Sequence, residues 1–139
     1  MQELLESKVY EFEDFRLDAK SHRVFRRETG TLVPLTPKAV ELLLILVQSK
    51  GRVLTKDELL GTVWDDTIVE ESNLSQTIFI LRKTLGENIK KPRLILTVPN
   101  RGYQFIAAVR EIGTEDKILE EEFLTGFQSR TAQNPKSKI

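Results

Sequence analysis

Apolar residues along the chain first come in short clusters and later at helical spacing. Over residues 9–35 they form four brief runs: Val9, Tyr10 and Phe12; Phe15 and Leu17; Val24 and Phe25; Leu32, Val33 and Leu35. Polar stretches at 13–14, 18–21 and 28–30, the last ending on Gly30, separate them. Short alternating runs bounded by turn residues predict antiparallel strands, here a meander. At Thr36 the period changes. Thr36 can cap the free N–H groups of a helix, and Pro37 at its first position loses no hydrogen bond there. A first helix is predicted to about Gln48, ending before Gly51, and Val40 with residues 42–47 is apolar nearly all round, so this helix should be the central core element.

A short extended piece at 52–54 leads to Thr55 and Glu58, spaced as a capping box, and to a second helix over about 56–64. Residues Asp65, Asp66 and Thr67 break it. A third helix is predicted over about 72–85, closed by Gly86. At about 100° per residue, Leu74, Ile78, Leu81 and Leu85 share one stripe, while Ser72, Gln76, Phe79 and Lys83 lie opposite. One side packs and the other is presented. Two further runs, 94–98 and 103–107, joined by Pro99, Asn100, Arg101 and Gly102, predict a β-hairpin with a basic tip. Residues 1–8 read as an extension, 9–110 as one domain, and 111–139 as a polar tail with a short amphipathic helix over about 116–127 and a disordered end from 129.

Composition narrows the chemistry. The 139 residues include no Cys and a single His, so disulfides, thiolate metal sites and His-based triads are unavailable, and neither enzyme activity nor a cofactor is expected. His22 sits in a polar turn. Asp65 and Asp66 have no further ligands nearby in sequence, which favours a helix-ending loop over a metal pair. No apolar run approaches the roughly 20 residues a bilayer span needs, and the acidic N-terminus does not resemble a signal peptide. A cytoplasmic domain without membrane contact is the expectation.

The net charge is zero, yet its distribution is uneven. Residues 1–71 carry ten basic and fourteen acidic groups, and residues 111–139 four and six. Residues 72–110 carry Arg82, Lys83, Lys90, Lys91, Arg93, Arg101 and Arg110 against Glu87 alone, a net charge of +6. The basic excess thus falls on the third helix and the hairpin. A helix with short polar side chains can enter the major groove, about 12 Å wide, while an arginine on a narrow hairpin reaches the backbone or minor groove beside it.

Five motifs now carry a resemblance: Leu35-Thr36-Pro37-Lys38, residues 51–55 (Gly, Arg, Val, Leu, Thr), Val63-Trp64, residues 81–86 (Leu, Arg, Lys, Thr, Leu, Gly), and residues 97–103 (Thr, Val, Pro, Asn, Arg, Gly, Tyr). In this order and spacing they resemble the OmpR/PhoB-type winged helix-turn-helix DNA-binding domain over about residues 10–109. Among its variants the chain is most similar to the receiver-less, CadC/ToxR-like regulators, because only about eight residues precede the first strand. On that resemblance no phosphorylatable receiver is expected here, and the polar tail suits a linker within a longer regulator.

The resemblance implies an α+β fold: a four-stranded N-terminal sheet, three helices and a C-terminal hairpin wing. It implies sequence-specific binding of double-stranded DNA for transcription regulation, with a dimer on DNA. Base readers would be Ser72, Asn73, Gln76, Thr77 and Ile80, with Arg82 and Lys83 towards the backbone and Thr97 and Arg101 as wing contacts. Trp64 takes a phosphate-contacting position, and the loop 63–71, with Asp65, Asp66 and Thr67, would face RNA polymerase. A module docking on polymerase or another regulator is the alternative.

Several residues admit two readings. An indole such as Trp64 can cover a helix end, contact a phosphate, or both. Lys90, Lys91 and Arg93 either solubilise a loop or touch phosphate, and Tyr103 is core or wing support. Where the family often has arginine, Phe79 and Ile80 stand. Phe79 either packs on the wing or second helix or faces the groove, where an apolar group can meet a thymine methyl but cannot grip guanine. Gln76 is then the best placed base reader, with adenine its natural target.

Overall fold

The computed structural model describes residues 8–65, 67–87 and 90–112. The expected helix over 116–127 and the side chain of Asp66 lie outside these residues. Four strands open the fold: β1 (Val9–Phe12), β2 (Phe15–Asp18), β3 (Arg23–Arg26) and β4 (Leu32–Val33). Three helices follow, α1 (Pro37–Gln48), α2 (Lys56–Val63) and α3 (Glu71–Thr84), with β5 (Val53–Thr55) between the first two. Strands β6 (Ile95–Val98), β7 (Gly102–Phe105) and β8 (Arg110–Ile112) complete it.

The helix starts follow the capping chemistry. The Thr36 hydroxyl accepts from the Ala39 amide at 3.2 Å ahead of Pro37. In the α2 box, Thr55 Oγ1 accepts from the Glu58 amide at 3.1 Å and Glu58 Oε1 from the Thr55 amide at 2.9 Å. Backbone hydrogen bonding to Thr55, seconded by Arg52, holds the Glu58 carboxyl below its ordinary pKa. Helix α3 begins one residue earlier than its spacing suggests, at Glu71, and its N-cap Glu70 makes no side-chain cap bond. It stops at Gly86, whose φ of 75° is left-handed, with the Glu87 amide donating back to the Arg82 carbonyl at 2.8 Å.

The meander forms as expected, and a fifth strand joins it. The order is β4-β3-β2-β1-β8, all antiparallel, and β8 pairs Ile112 with Val9 and Arg110 with Glu11. Residues 111–112 read as the start of the tail, but with Arg110 they form a strand that closes the sheet's edge and buries Ile112. Tyr10, Phe12, Phe15, Leu17, Val24 and Val33 from this sheet meet Ala39, Val40, Leu42, Leu43, Leu46 and Val47 of α1 in one core. On β1, Glu11 is 4% exposed and its carboxylate is held by Arg16, Arg27 and Arg110. Buried charge of this kind persists only when paired.

The hairpin also gains a strand. β5 pairs with β7, giving a three-stranded wing in the order β5-β7-β6. Gly102 lies opposite Thr55, and a Cβ there would stand 1.9 Å from the Leu54 carbonyl oxygen, so no larger residue fits. Phe105 of β7 meets Phe12 of β1 edge-on, ring centroids 5.2 Å apart, which ties wing to sheet. Among the described residues, no helix is long and apolar enough to cross a membrane.

Candidate nucleic-acid interface

Helix α3 packs on α1 and α2 through Leu74, Ile78 and Leu81, with Leu85 buried just beyond its end. The opposite face is open: Ser72, Asn73, Ser75, Gln76, Phe79, Ile80 and Lys83 are all exposed. Phe79 is 61% exposed, so of its two readings the structure takes the one in which it faces outward. Thr77 is half-buried and its hydroxyl donates to the Asn73 carbonyl at 2.7 Å, one turn back along the same helix. At the start of α3, Glu71 bonds Lys56 at 2.6 Å, joining it to the first residue of α2. That hydrogen bond raises the Lys56 pKa above its ordinary value.

The wing tip is the three-residue loop Pro99, Asn100 and Arg101 between the paired Val98 and Gly102. Asn100 takes a left-handed φ of 64°, which its short polar side chain tolerates. The Arg101 amide donates to the Val98 carbonyl at 3.0 Å, and its own carbonyl accepts from the Lys56 amide at 3.1 Å. The backbone under Arg101 is thus fixed to the start of α2 while the side chain is exposed.

Arg82 and Thr97, both expected on DNA, are brought against each other. Arg82 Nη2 donates to the Thr97 hydroxyl at 2.8 Å and to the Ile95 carbonyl at 3.0 Å, which staples α3 to β6. Lys83 and Arg101 remain the exposed cations on α3 and the wing tip. Elsewhere in the basic segment Arg93 bonds Glu13 at 2.7 Å and Arg110 approaches Glu11 at 3.4 Å, so part of the +6 is spent inside the fold. Lys90 and Lys91 are exposed. Trp64 forms the C-terminal cap of α2 and is 9% exposed, part of the core, and Tyr103 of β7 is buried in the same core. Asp65 and Thr67 are exposed in the loop, and Ile68 is fully so at 101%.

Two positioning residues escaped the sequence reading. Lys38 Nζ donates to the Val63 carbonyl at 2.7 Å, satisfying the open end of α2, which gives its place in the Leu35–Lys38 motif a physical reason. Glu87 accepts from the backbone amides of Arg93, Leu94 and Ile95, so the one carboxylate of the basic segment anchors the start of the wing. Its isolation among seven cations was the available signal. Among the described residues no cluster of His, Cys, Asp and Glu could hold a metal ion.

The family model for "Transcriptional regulatory protein, C terminal" matches residues 30–105, from the turn before β4 to the last residue of β7. The chain belongs to that family. Within it, the cholera toxin homolog transcriptional activator of Vibrio parahaemolyticus is 36% identical over 101 residues, covering 70% of this chain and 35% of that protein. The transcriptional activator CadC of Escherichia coli is 40% identical over 81 residues, 58% of this chain and 16% of CadC. This transcriptional regulatory domain therefore spans about a third or less of the length of these relatives. Among solved structures, the DNA-binding domain of E. coli CadC superposes with a TM-score of 0.64 at 31% identity, covering 76% of this chain and 97% of that one. The Klebsiella pneumoniae RstA DNA-binding domain, solved in complex with the RstA box, superposes at 0.61 with 28% identity, covering 70% and 95%. The winged-helix architecture expected from the five motifs is the one observed.

Proposed function

We propose that this family member is the DNA-reading part of a transcription regulator, inserting α3 into the major groove and setting the β6–β7 wing on the adjacent backbone or minor groove. The observation that carries this is the open face of α3, polar around Ser72, Asn73 and Gln76, with Lys83 on the same face and Arg101 held rigidly at the wing tip. Ser72, Asn73, Gln76 and Ile80 read bases, Lys83 and Arg101 meet phosphate, and Arg82 with Thr97 fixes the angle between reader and wing. The related CadC and RstA domains are DNA-binding domains by name, which supports the reading.

Because Arg93 and Arg110 are paired with carboxylates of the chain and the whole chain is neutral, one domain neutralises few phosphates. Binding as a dimer on paired half-sites makes up the difference. The test is selection of the 139-residue chain on random duplexes at low salt, followed by affinity against salt. A defined site and a steep fall of log affinity with log salt are expected, whereas enrichment of no sequence at low salt refutes the proposal.

A second contact has its own observation. The loop between α2 and α3 presents Ile68, fully exposed, beside Asp65 and Glu70. A fully exposed apolar side chain in a loop that also exposes Asp65 and Glu70 leaves room for a protein partner, and RNA polymerase is the partner a transcription regulator meets. Ile68→Ala should lower activated transcription while leaving DNA affinity unchanged; a parallel loss of both rules this contact out.

A further inference from the structure

Two apolar side chains stand on the face that would enter the groove. Phe79 is 61% exposed and Ile80 40%. Neither serves the core, which α3 reaches through Leu74, Ile78 and Leu81. At about 100° per residue, Ile80 lies about 40° to one side of Gln76 and Phe79 about 60° to the other, with Lys83 near the middle line a turn or two further along. The reading row is therefore an amide flanked by two hydrocarbon surfaces.

What the face lacks is as informative. The commonest grip on guanine is an arginine or lysine on O6 and N7; Lys83 is the last residue but one of α3, whereas base edges are met from the N-terminal part of a recognition helix. The one arginine of α3, Arg82, has its guanidinium on the Ile95 carbonyl and the Thr97 hydroxyl, turned to the wing. Gln76, like Asn73 one turn before it, presents an amide, and the bidentate partner of an amide is adenine N6 and N7. The thymine paired with that adenine carries the 5-methyl group, the apolar feature of the major-groove edge. One A·T pair thus offers both chemistries the row contains.

We propose that α3 reads a run of A·T pairs, with Gln76 on adenine and Ile80 and Phe79 packed on thymine 5-methyl groups of the same and neighbouring pairs. This rests on the DNA-binding reading above and adds the base class to it. Lys83 on the same face and Arg101 on the wing supply the positive charge that draws the phosphates of such a site against the apolar row. The two side chains are solvated in the free protein, so each methyl they cover adds hydrophobic burial that exists only in the complex.

The experiment uses the 139-residue chain and a selected half-site in which each thymine is replaced in turn by uracil. That exchange deletes the methyl and keeps every hydrogen-bonding group. At each contacted position affinity should fall about fourfold, the equivalent of one buried methyl. The penalty should vanish at one position in Ile80→Ala and at another in Phe79→Ala. Both variants change exposed side chains, and circular dichroism checks that they fold. Uracil penalties below about 1.5-fold everywhere, or penalties that persist unchanged in both variants, overturn the methyl reading, and so does a selected site with guanine under Gln76. A selected site with steep salt dependence but no uracil effect overturns this inference and leaves DNA binding standing. Failure to select any site overturns both. If the free chain self-associates and Phe79→Ala abolishes it, the patch belongs to a second copy and the inference fails.

Discussion

Replacing Gly102 with alanine tests the close approach of β7 to β5. Its new Cβ would lie 1.9 Å from the Leu54 carbonyl oxygen, 2.8 Å from the Leu54 carbonyl carbon and 2.9 Å from Thr55 Cα. All three atoms are backbone, so no side chain can swing aside; β5 must retreat by about 1 Å or more against a packed core. Overpacking of this sort costs about 1–3 kcal/mol. Loosening the Thr55–Gly102 pairing adds about 1 kcal/mol per hydrogen bond lost. The stiffer unfolded chain returns about 0.4–1 kcal/mol. The net expectation is a loss of about 2–3 kcal/mol, which for a domain this size lowers Tm by about 10–20 °C. Urea and thermal unfolding followed by circular dichroism measure it. Gly61→Ala is the control, since Gly61 sits within α2 with nothing within 4 Å of its would-be Cβ. That change should raise stability by about 0.5–1 kcal/mol, the ordinary helical preference for alanine. The damage should also reach function, because β5 ends at Thr55 and the next amide, Lys56, holds the Arg101 carbonyl. If Gly102→Ala shifts stability no further than about 0.5 kcal/mol, or in the same direction as Gly61→Ala, the close approach of β5 to β7 is wrong.

Three further outcomes are expected. Glu87→Ala should cost about 2 kcal/mol by stranding three backbone donors at the start of the wing, and hydrogen exchange at Leu94 and Ile95 should quicken; Glu87→Gln, which keeps an acceptor, should recover part of it. Folding lowers the Glu58 carboxyl, so its contribution is present above the ordinary carboxylate range and disappears as pH falls through the lowered value. The gap in urea midpoint between the wild-type chain and Glu58→Gln should therefore be widest near neutrality and close in acid; a gap independent of pH contradicts the capping role of the charge. Gln76→Ala should weaken the selected site by about 1–3 kcal/mol and relax one base pair, whereas Arg101→Ala should weaken all duplexes alike and flatten the salt slope; equal losses on selected and random DNA for Gln76→Ala remove it from base reading.

Local chemistry made much of this fold legible. The Thr36–Pro37 start, the Thr55–Glu58 box and the stop at Gly86 depend on neighbours in sequence, and α1, α2 and α3 fall within a residue or so of where those signals put them. The outward face of α3 likewise follows from helical spacing alone. What escaped depends on partners far along the chain. Strand β8 is three residues that become a strand because β1, about a hundred positions earlier, offers a free edge. Arg82 reads as a cation for phosphate until β6 is seen to present a carbonyl and a hydroxyl to it. Lys38 finds the end of α2 and Glu87 the start of β6 for the same reason, since no periodicity encodes a contact that only folding creates.

The pairing of Val9 with Ile112 has a mechanical consequence. The two ends of the folded unit emerge side by side from the same edge of one sheet, so anything joined at either end is anchored at a single point. Tension between those ends loads the β1–β8 ladder one rung at a time, as a zip, which is the weak direction for antiparallel strands. A pull on Ile112 against α3 peels the same ladder before it reaches the core under α1. Under such a load β8 is freed first, and the core that seats α3 is reached last.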